Sequence, residues 1–136
     1  MKNKRLFASV VAALCLLSLL LCACSIQLPF GGNAQNEQGE KRTYTVQVVH
    51  SDGTVMEKQI TTRQVYLANA LFDENILTDE EGLSTGLYTI VDGEEASWEK
   101  NQAYWGFYVD GQYAVEGMNT TQTKDGAVYK LEYTVG

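Results

Sequence analysis

Aromatic side chains are concentrated in residues 103–114 of this 136-residue sequence, which read AYWGFYVDGQYA. Five of the chain's fourteen aromatic residues lie there, around Gly106 and an Asp-Gly pair. Tyrosine and tryptophan combine an apolar ring with a polar atom, so such a cluster suits either a core strand or the wall of a ligand site. A glycine inside a strand often marks the close approach of another backbone or a ligand. The stretch therefore supports two hypotheses, an ordinary core strand and a binding surface.

Alternation along a strand divides these side chains between two faces. One face carries Trp105, Phe107 and Val109 and is the natural core face. The opposite face carries Tyr104, Gly106 and Tyr108, and there Gly106 leaves a shallow gap between the two tyrosines.

Catalytic residues are not predicted anywhere in the chain. His50 is the only histidine, and its neighbours Ser51 and Asp52 cannot form a triad with it because adjacent strand residues point to opposite faces. His50 is expected to be an exposed strand end. No phosphate-binding, zinc or dinucleotide motif is present, so we expect a protein that is not an enzyme and that holds no cofactor or metal.

Acidic residues between positions 73 and 81 offer a weaker alternative, the binding of a cation. Asp73, Glu74, Asp79, Glu80 and Glu81 lie close together along the chain. They lack the alternating ligand spacing of a calcium loop, so a solvated acidic loop is the favoured interpretation.

The N-terminal sequence has the order of a secretory signal peptide, a basic start followed by an apolar run from position 6 to 21. The run ends in Leu21-Cys22-Ala23-Cys24, which resembles a bacterial lipobox. By that resemblance residues 1–24 are a lipoprotein signal peptide, and Cys24 carries the lipid. The alternatives are an uncleaved anchor and plain secretion. The lipoprotein hypothesis places the domain on the extracellular face of the bacterial cytoplasmic membrane.

Charge and cysteine content limit the partners and the chemistry of such a mature chain. Loss of Lys2, Lys4 and Arg5 leaves 7 basic and 17 acidic residues, a net charge of −10 instead of −7. An acidic surface repels phosphate backbones, so nucleic acid is not an expected partner. With Cys24 lipidated, no free thiol remains for a disulfide, a metal site or a nucleophile.

The elements that must position these residues follow a spacer at residues 25–42, and they make up a domain at residues 43–136. The order of periodicities predicts a β-hairpin, one helix within residues 62–72 and then further strands. Leu67, Ala70 and Leu71 give that helix its apolar face, and Thr61 or Thr62 can cap it. Residues 75–84 are predicted as an acidic connection, and residues 94–102 as a polar excursion around Trp98. The predicted strands are 44–49, 54–61, 87–91, 104–109, 112–115 and 127–135, with Asp-Gly turns after four of them. This order predicts an α+β fold with one helix packed on a mixed or antiparallel sheet of five or six strands.

A set of ordered residues resembles the transcobalamin-like C-terminal domain family, a small domain also found in transcobalamin and intrinsic factor. The set comprises Gly86-Leu87, Ile90, Tyr104-Trp105-Gly106-Phe107, Gly117, Tyr129 and Leu131, with the helix at residues 66–71 upstream. The resemblance covers nearly all of residues 43–135 and implies a β-grasp-like fold.

The resemblance also implies a ligand site on the hairpin of residues 104–114. In the cobalamin carriers this domain closes over a corrinoid, and the Phe of Tyr-Trp-x-Phe and a Leu seven residues later contact the ligand. Those positions correspond to Phe107 and Ala114, so the Leu is missing and Tyr113 is the nearest bulky substitute. The predicted ligand-binding residues are Tyr88, Tyr104, Trp105, Phe107, Tyr108, Tyr113 and Ala114.

The sequence thus predicts a lipid-anchored, extracellular, non-enzymatic binding domain with a corrinoid or another small ligand. The large helical domain of the cobalamin carriers is not expected here, so the domain would offer one wall of a site. Burying ~150 Å² of ligand on an aromatic wall contributes ~4 kcal/mol before the cost of association, which predicts weak binding. The alternative is a cell-surface module that docks a larger protein or a transporter.

Overall fold

A computed structural model describes residues 38–136, which contain seven strands and three short helices. The predicted signal peptide, the lipidation site at Cys24 and most of the predicted spacer lie outside these residues. In chain order the elements are β1 (Gln38–Val49), β2 (Val55–Gln64), α1 (Leu67–Asp73), α2 (Glu80–Thr85), β3 (Ile90–Val91), β4 (Glu94–Glu95), α3 (Trp98–Asn101), β5 (Ala103–Val109), β6 (Gln112–Tyr113) and β7 (Val128–Val135).

Five of the strands form one mixed sheet in the order β2-β1-β7-β5-β6. The β1 and β7 strands pair in parallel, and the other three neighbouring pairs are antiparallel. The β3 and β4 strands form a separate two-residue hairpin. The predicted α+β class with a mixed sheet of five or six strands is therefore confirmed. The first strand begins at Gln38 and so includes the last five residues of the predicted spacer.

Alternation along the strands creates the core face of the sheet. In β1 the side chains of Tyr44, Val46 and Val48 are buried while their neighbours are half-buried, and in β7 Tyr129 and Leu131 repeat the pattern. The apolar face of α1 adds Leu67, Ala68, Ala70 and Leu71 to the same core. The predicted buried helix residues are thus confirmed.

The predicted helix start and its threonine cap are wrong. Thr61 and Thr62 lie in β2, where they pair with Thr43 and Arg42 of β1, and the helix begins only at Leu67. Its first amides are satisfied by the main chain of the segment before β7, because Leu67 N donates to Thr121 O (2.9 Å) and Ala68 N donates to Met118 O (3.1 Å). Backbone carbonyls therefore do the capping that a side chain was expected to do.

Two further helices replace segments that were predicted as connections. The acidic segment contains α2, which Asp79 caps by accepting from Gly82 N and which ends at Gly86 with φ 76°. The segment around Trp98 forms α3. The predicted strand at 87–91 is shorter than expected, because only Ile90–Val91 pairs, with Glu94–Glu95 across the turn at Asp92 and Gly93.

Candidate functional site

A cleft of about 790 Å³ lies on one side of the β5–β6 hairpin. Its other walls come from α2 and the segment that joins it to β3, from α3 and the two residues before it, and from the segment that follows β6. The cleft thus gathers side chains from four separate parts of the chain around the Tyr-Trp-Gly-Phe stretch of β5.

The floor of the cleft is aromatic and nearly closed to solvent. Trp105 and Phe107 are 9% and 8% exposed, and what remains exposed of each lines the cleft. The Trp105 ring packs edge-on against Tyr133 with 5.5 Å between centroids, and its Nε1 donates to Thr89 O at 3.2 Å. The Phe107 ring stacks on Tyr129 at 6.4 Å. These contacts hold both rings in place in the floor of the cleft.

Tyr88 forms a second part of the floor and ties two walls together. Its hydroxyl donates to Asn119 Oδ1, and Asn119 Nδ2 donates in turn to Gly82 O (3.2 Å) and Leu83 O (2.8 Å) of α2. Burial, followed by the charge of Asp79, raises the pKa of Tyr88 to about 12. The phenol therefore stays protonated at neutral pH and remains a hydrogen-bond donor.

The rim of the cleft carries apolar side chains that face solvent. Leu87 is 75% exposed and Val115 is 99% exposed, and Trp98, Tyr104 and Tyr113 are also exposed. Within residues 38–136, five of the seven exposed large apolar side chains lie on this rim, the other two being Val55 and Val135. Such a concentration of exposed apolar surface is typical of an interaction site.

Six of the seven predicted site residues line this one cleft, namely Tyr88, Tyr104, Trp105, Phe107, Tyr113 and Ala114. Tyr108 is not among the lining residues. Its ring packs edge-on against Tyr113 at 5.3 Å and lies under Lys130 Nζ, 4.2 Å from the ring centroid. Whether the six contact a ligand remains a prediction.

The expected gap at Gly106 is closed. A Cβ at this position would lie 3.2 Å from Thr134 Oγ1 and 3.2 Å from the Tyr108 ring, and Gly106 itself is buried. The side chains of Thr134 and Tyr108 therefore occupy the space that the absence of a side chain at Gly106 leaves. The open surface lies on the Trp105 and Phe107 side of the strand.

Several cleft residues were not predicted from the sequence. Leu87 was assigned to a strand, Trp98 to a polar excursion, and Val115 and Met118 to no site at all. They come from segments without regular periodicity, so only their apolar character in otherwise polar surroundings could have indicated them.

His50 is held between two carboxylates and is not the exposed strand end that was expected. Its Nδ1 lies 2.7 Å from Glu94 Oε2 and its Nε2 lies 3.0 Å from Asp92 Oδ2, across the turn of the β3–β4 hairpin. The hydrogen bond with Glu94, with a smaller one from Asp92, raises the pKa of His50 against the opposing effect of burial. Ser51 N donates to the same Glu94 oxygen at 3.2 Å. His50 therefore links two turns through its hydrogen bonds to Asp92 and Glu94, a contact called the clasp below. No nucleophile is hydrogen-bonded to the ring.

The acidic segment does not bring its carboxylates together. Asp73 accepts from Gln64 Nε2, Glu74 pairs with Lys58, and Asp79 caps α2 and accepts from Thr89. In the part of the chain that the structure describes, no group of three His, Cys, Asp or Glu side chains could hold a metal ion. The cation-binding alternative therefore gains no ligand set from the fold.

The described helices are all too short to be membrane spans: within residues 38–136 none is long and apolar enough to cross a bilayer.

Comparison with known proteins gives structural matches. No protein-family model matches the chain, and no curated protein matches it. A candidate metal binding protein from Ruminococcus gnavus ATCC 29149 is 28% identical, with a TM-score of 0.61 over 70% of this chain and 98% of that one. Haptocorrin, crystallised in complex with Cbi, is 18% identical, with a TM-score of 0.55 over 77% of this chain and 27% of haptocorrin.

These matches confirm the predicted transcobalamin-like domain at the level of the fold. Haptocorrin belongs to the transcobalamin family, and the present chain matches about a quarter of its length.

Proposed function

Because the domain has a transcobalamin-like fold, we propose that this chain is a non-enzymatic binding protein. Its cleft would take a small ligand with a large apolar body, and a corrinoid is the first candidate. One observation carries the proposal: six residues singled out by sequence line a single cleft with a fixed aromatic floor. A volume of about 790 Å³ is in the range of ordinary ligand pockets. The two solved structures named above are described by what they bind, which supports a binding function over an enzymatic one.

The corrinoid is proposed because haptocorrin was crystallised with Cbi and because, by the sequence resemblance, Phe107 and Ala114 correspond to the family's ligand contacts. Both line the cleft here, as does the exposed Tyr113 beside Ala114, which is the nearest bulky substitute for the missing Leu. The cleft is open on one side, so the affinity should be modest unless a second wall is supplied.

The test is a titration of the full-length chain in detergent with cobinamide, followed by absorbance and calorimetry. We expect saturable binding that weakens roughly tenfold when Trp98→Ala and Tyr104→Ala remove two rim rings. Val55→Ala is the matched control, because Val55 is equally exposed but lies away from the cleft. Absence of any spectral or heat change at high micromolar cobinamide would rule out the corrinoid.

The exposed rim favours a second candidate function, the docking of a larger surface protein or transporter. Leu87, Trp98 and Val115 project from three different segments around one opening, as anchor residues of a protein interface do. A photo-crosslinker at position 87 should then capture a single envelope protein, whereas one at position 55 should not. Competition of that crosslink by cobinamide would show instead that the rim serves the small ligand.

We also propose that the domain is tethered by lipid at Cys24 on the extracellular face of the cytoplasmic membrane, on the strength of the lipobox-like sequence. Cells fed a labelled fatty acid should label the wild-type chain but not Cys24→Ser. Labelling of both chains, or of neither, would refute the anchor.

A further inference from the structure

We propose that the cleft selects positively charged ligands, each with an apolar or aromatic body that carries an ammonium or similar cation. This inference rests on the proposed binding function and adds the charge class of the ligand. It follows from two independent properties of the lining, its carboxylates and its exposed aromatic rings.

The charged side chains that line the cleft are all acidic. They are Asp79, Glu81, Glu99 and Glu116, and no lysine, arginine or histidine is among the lining residues. They come from three different segments, so the negative charge is not confined to one wall. A concave surface lined by one sign of charge raises the local concentration of ligands of the opposite sign.

Among the described residues, these carboxylates are not held in ion pairs. None of the five ion pairs within residues 38–136 includes a carboxylate of the cleft. Lys100 follows Glu99 in the sequence, but its Nζ pairs with Glu95 at 2.6 Å. Asp79 is held ionised, since hydrogen bonds from Thr89 and Gly82 outweigh the effect of burial and lower its pKa. The negative charge of the cleft is therefore available to a ligand.

The exposed rings of the rim favour the same class of ligand. Trp98 presents an exposed aromatic ring beside these carboxylates, and the exposed Tyr104 and Tyr113 are also among the lining residues. Aromatic faces carry partial negative charge and attract cations within about 6 Å of the ring, while they also bury the apolar body of the ligand. An anion of the same shape would gain the same apolar contact, but the carboxylates and the negative faces of the rings would both repel it.

The test compares three ligands with one ring system and different charges: naphthylmethyl-trimethylammonium, naphthylmethanol and naphthylacetate. Calorimetric titration of the full-length chain in detergent should give the lowest Kd for the ammonium, roughly tenfold below the alcohol at low ionic strength, with the acetate weakest. Added salt should reduce the preference, because exposed charges are screened.

Charge variants locate the effect. The double variant Glu99→Gln and Glu116→Gln should remove most of the ammonium preference, so that the Kd for the ammonium approaches the Kd for the alcohol. The double variant Glu40→Gln and Glu57→Gln makes the same change in net charge at exposed positions away from the cleft, and it should keep the preference.

Three results would overturn the proposal: equal Kd values for the three ligands, tighter binding of the acetate, or no binding of any of them at about millimolar concentration, a weak-binding limit. If cobinamide binds in that last case, the proposed binding function stands while the charge selection fails. If cobinamide also fails to bind, both are wrong.

Discussion

Phe107 belongs to the core and to the cleft at the same time. Alternation predicted a core residue, and the family resemblance predicted a ligand contact. Phe107 is only 8% exposed and its ring stacks on Tyr129, and it is also one of the residues that line the cleft. The two predictions are compatible because a large ring can face packed side chains on one side and an opening on another. Substitution of Phe107 should therefore change stability as well as binding, which makes Trp98 and Tyr104 cleaner probes of the site.

Tyr44 carries a polar atom that the fold leaves without a partner. Its side chain is 1% exposed and its hydroxyl is buried with no hydrogen bond, next to the edge-on ring of Tyr129 at 5.1 Å. Burial raises the pKa of this phenol, so the hydroxyl stays neutral. We expect Tyr44→Phe to leave the free energy of unfolding unchanged or to raise it by up to about 1 kcal/mol, measured by urea denaturation.

Tyr129→Phe is the matched control for that prediction. The Tyr129 hydroxyl donates to Gln122 O at 3.1 Å and accepts from Lys124 N at 3.0 Å, at the same degree of burial. Its removal leaves buried groups unsatisfied and should cost about 1–3 kcal/mol. Equal losses for the two variants would show that the Tyr44 hydroxyl has a partner in solution.

The faces of β5 could be predicted from the sequence, whereas the surroundings of each residue could not. Alternation placed Trp105 and Phe107 correctly because it depends only on strand geometry. It could not show that Tyr108 and Thr134 fill the space above Gly106, because Thr134 comes from β7 and the register of that pairing is a tertiary property.

At the scale of elements, α2 supports the floor of the cleft through Gly82. A Cβ at Gly82 would lie 2.3 Å from the Tyr88 ring and 3.0 Å from Leu87 O, so only glycine lets the helix approach this closely. Gly82→Ala should therefore destabilise the domain by about 1–3 kcal/mol through overpacking, although in an open helix the same change stabilises by about 1 kcal/mol. Thermal or urea denaturation measures the sign, and ligand titration should show weaker binding as Tyr88 is displaced.

Gly117→Ala is the control, because the nearest atom to its Cβ, Gly86 O, lies at an ordinary 3.9 Å. We expect a change within about 0.5 kcal/mol, as for other unstrained surface sites. A destabilisation as large as that of Gly82→Ala would mean that general loop rigidity, and not contact with Tyr88, explains the effect.

The clasp at His50 links the β1–β2 turn to the β3–β4 hairpin and makes the strength of that link depend on pH. Both ring nitrogens face carboxylates, and an imidazolium can donate to both whereas a neutral ring can donate to one. The charged groups around the ring are Asp92, Glu94 and, more weakly, Asp52. The pKa of Glu94 is lowered, first by the hydrogen bond from Ser51, so this partner stays ionised near neutral pH.

Because folding raises the pKa of His50 above 6.5, the stabilisation is fully present below about pH 6.5 and is lost as the pH rises through the raised value. The free energy of unfolding of wild type should exceed that of His50→Gln by about 1 kcal/mol near pH 6, and the excess should shrink toward about pH 9. Urea denaturation at both pH values measures it. A difference that grows with pH would contradict the clasp.

The elements themselves were only partly predictable. The helical period of Leu67, Ala70 and Leu71 identified α1, but the β-branched Thr61 and Thr62 suited a strand as well as a cap, and pairing with β1 decided between them. Asp79 as cap and Gly86 as left-handed end are helix signals in the sequence that the acidic character of the segment obscured.

For the whole molecule, we expect stability to be independent of divalent cations. The acidic side chains at positions 73, 74 and 79 have separate partners, and no group of three ligating side chains forms within residues 38–136. The melting temperature by calorimetry should therefore be the same in millimolar calcium and in excess EDTA. A clear rise with calcium would revive the cation-binding alternative and would indicate ligands outside that region.

The central place of β7 in the sheet has a consequence for the time course of folding. This strand lies between β1 and β5, yet it follows every other strand along the chain, so the two hairpins have no common partner until it is present. Pairing of β1 with β7 joins residues about eighty positions apart, and contacts of such separation form slowly. During synthesis the two hairpins would therefore remain unjoined until β7 emerged, and the five-stranded sheet could be completed only then.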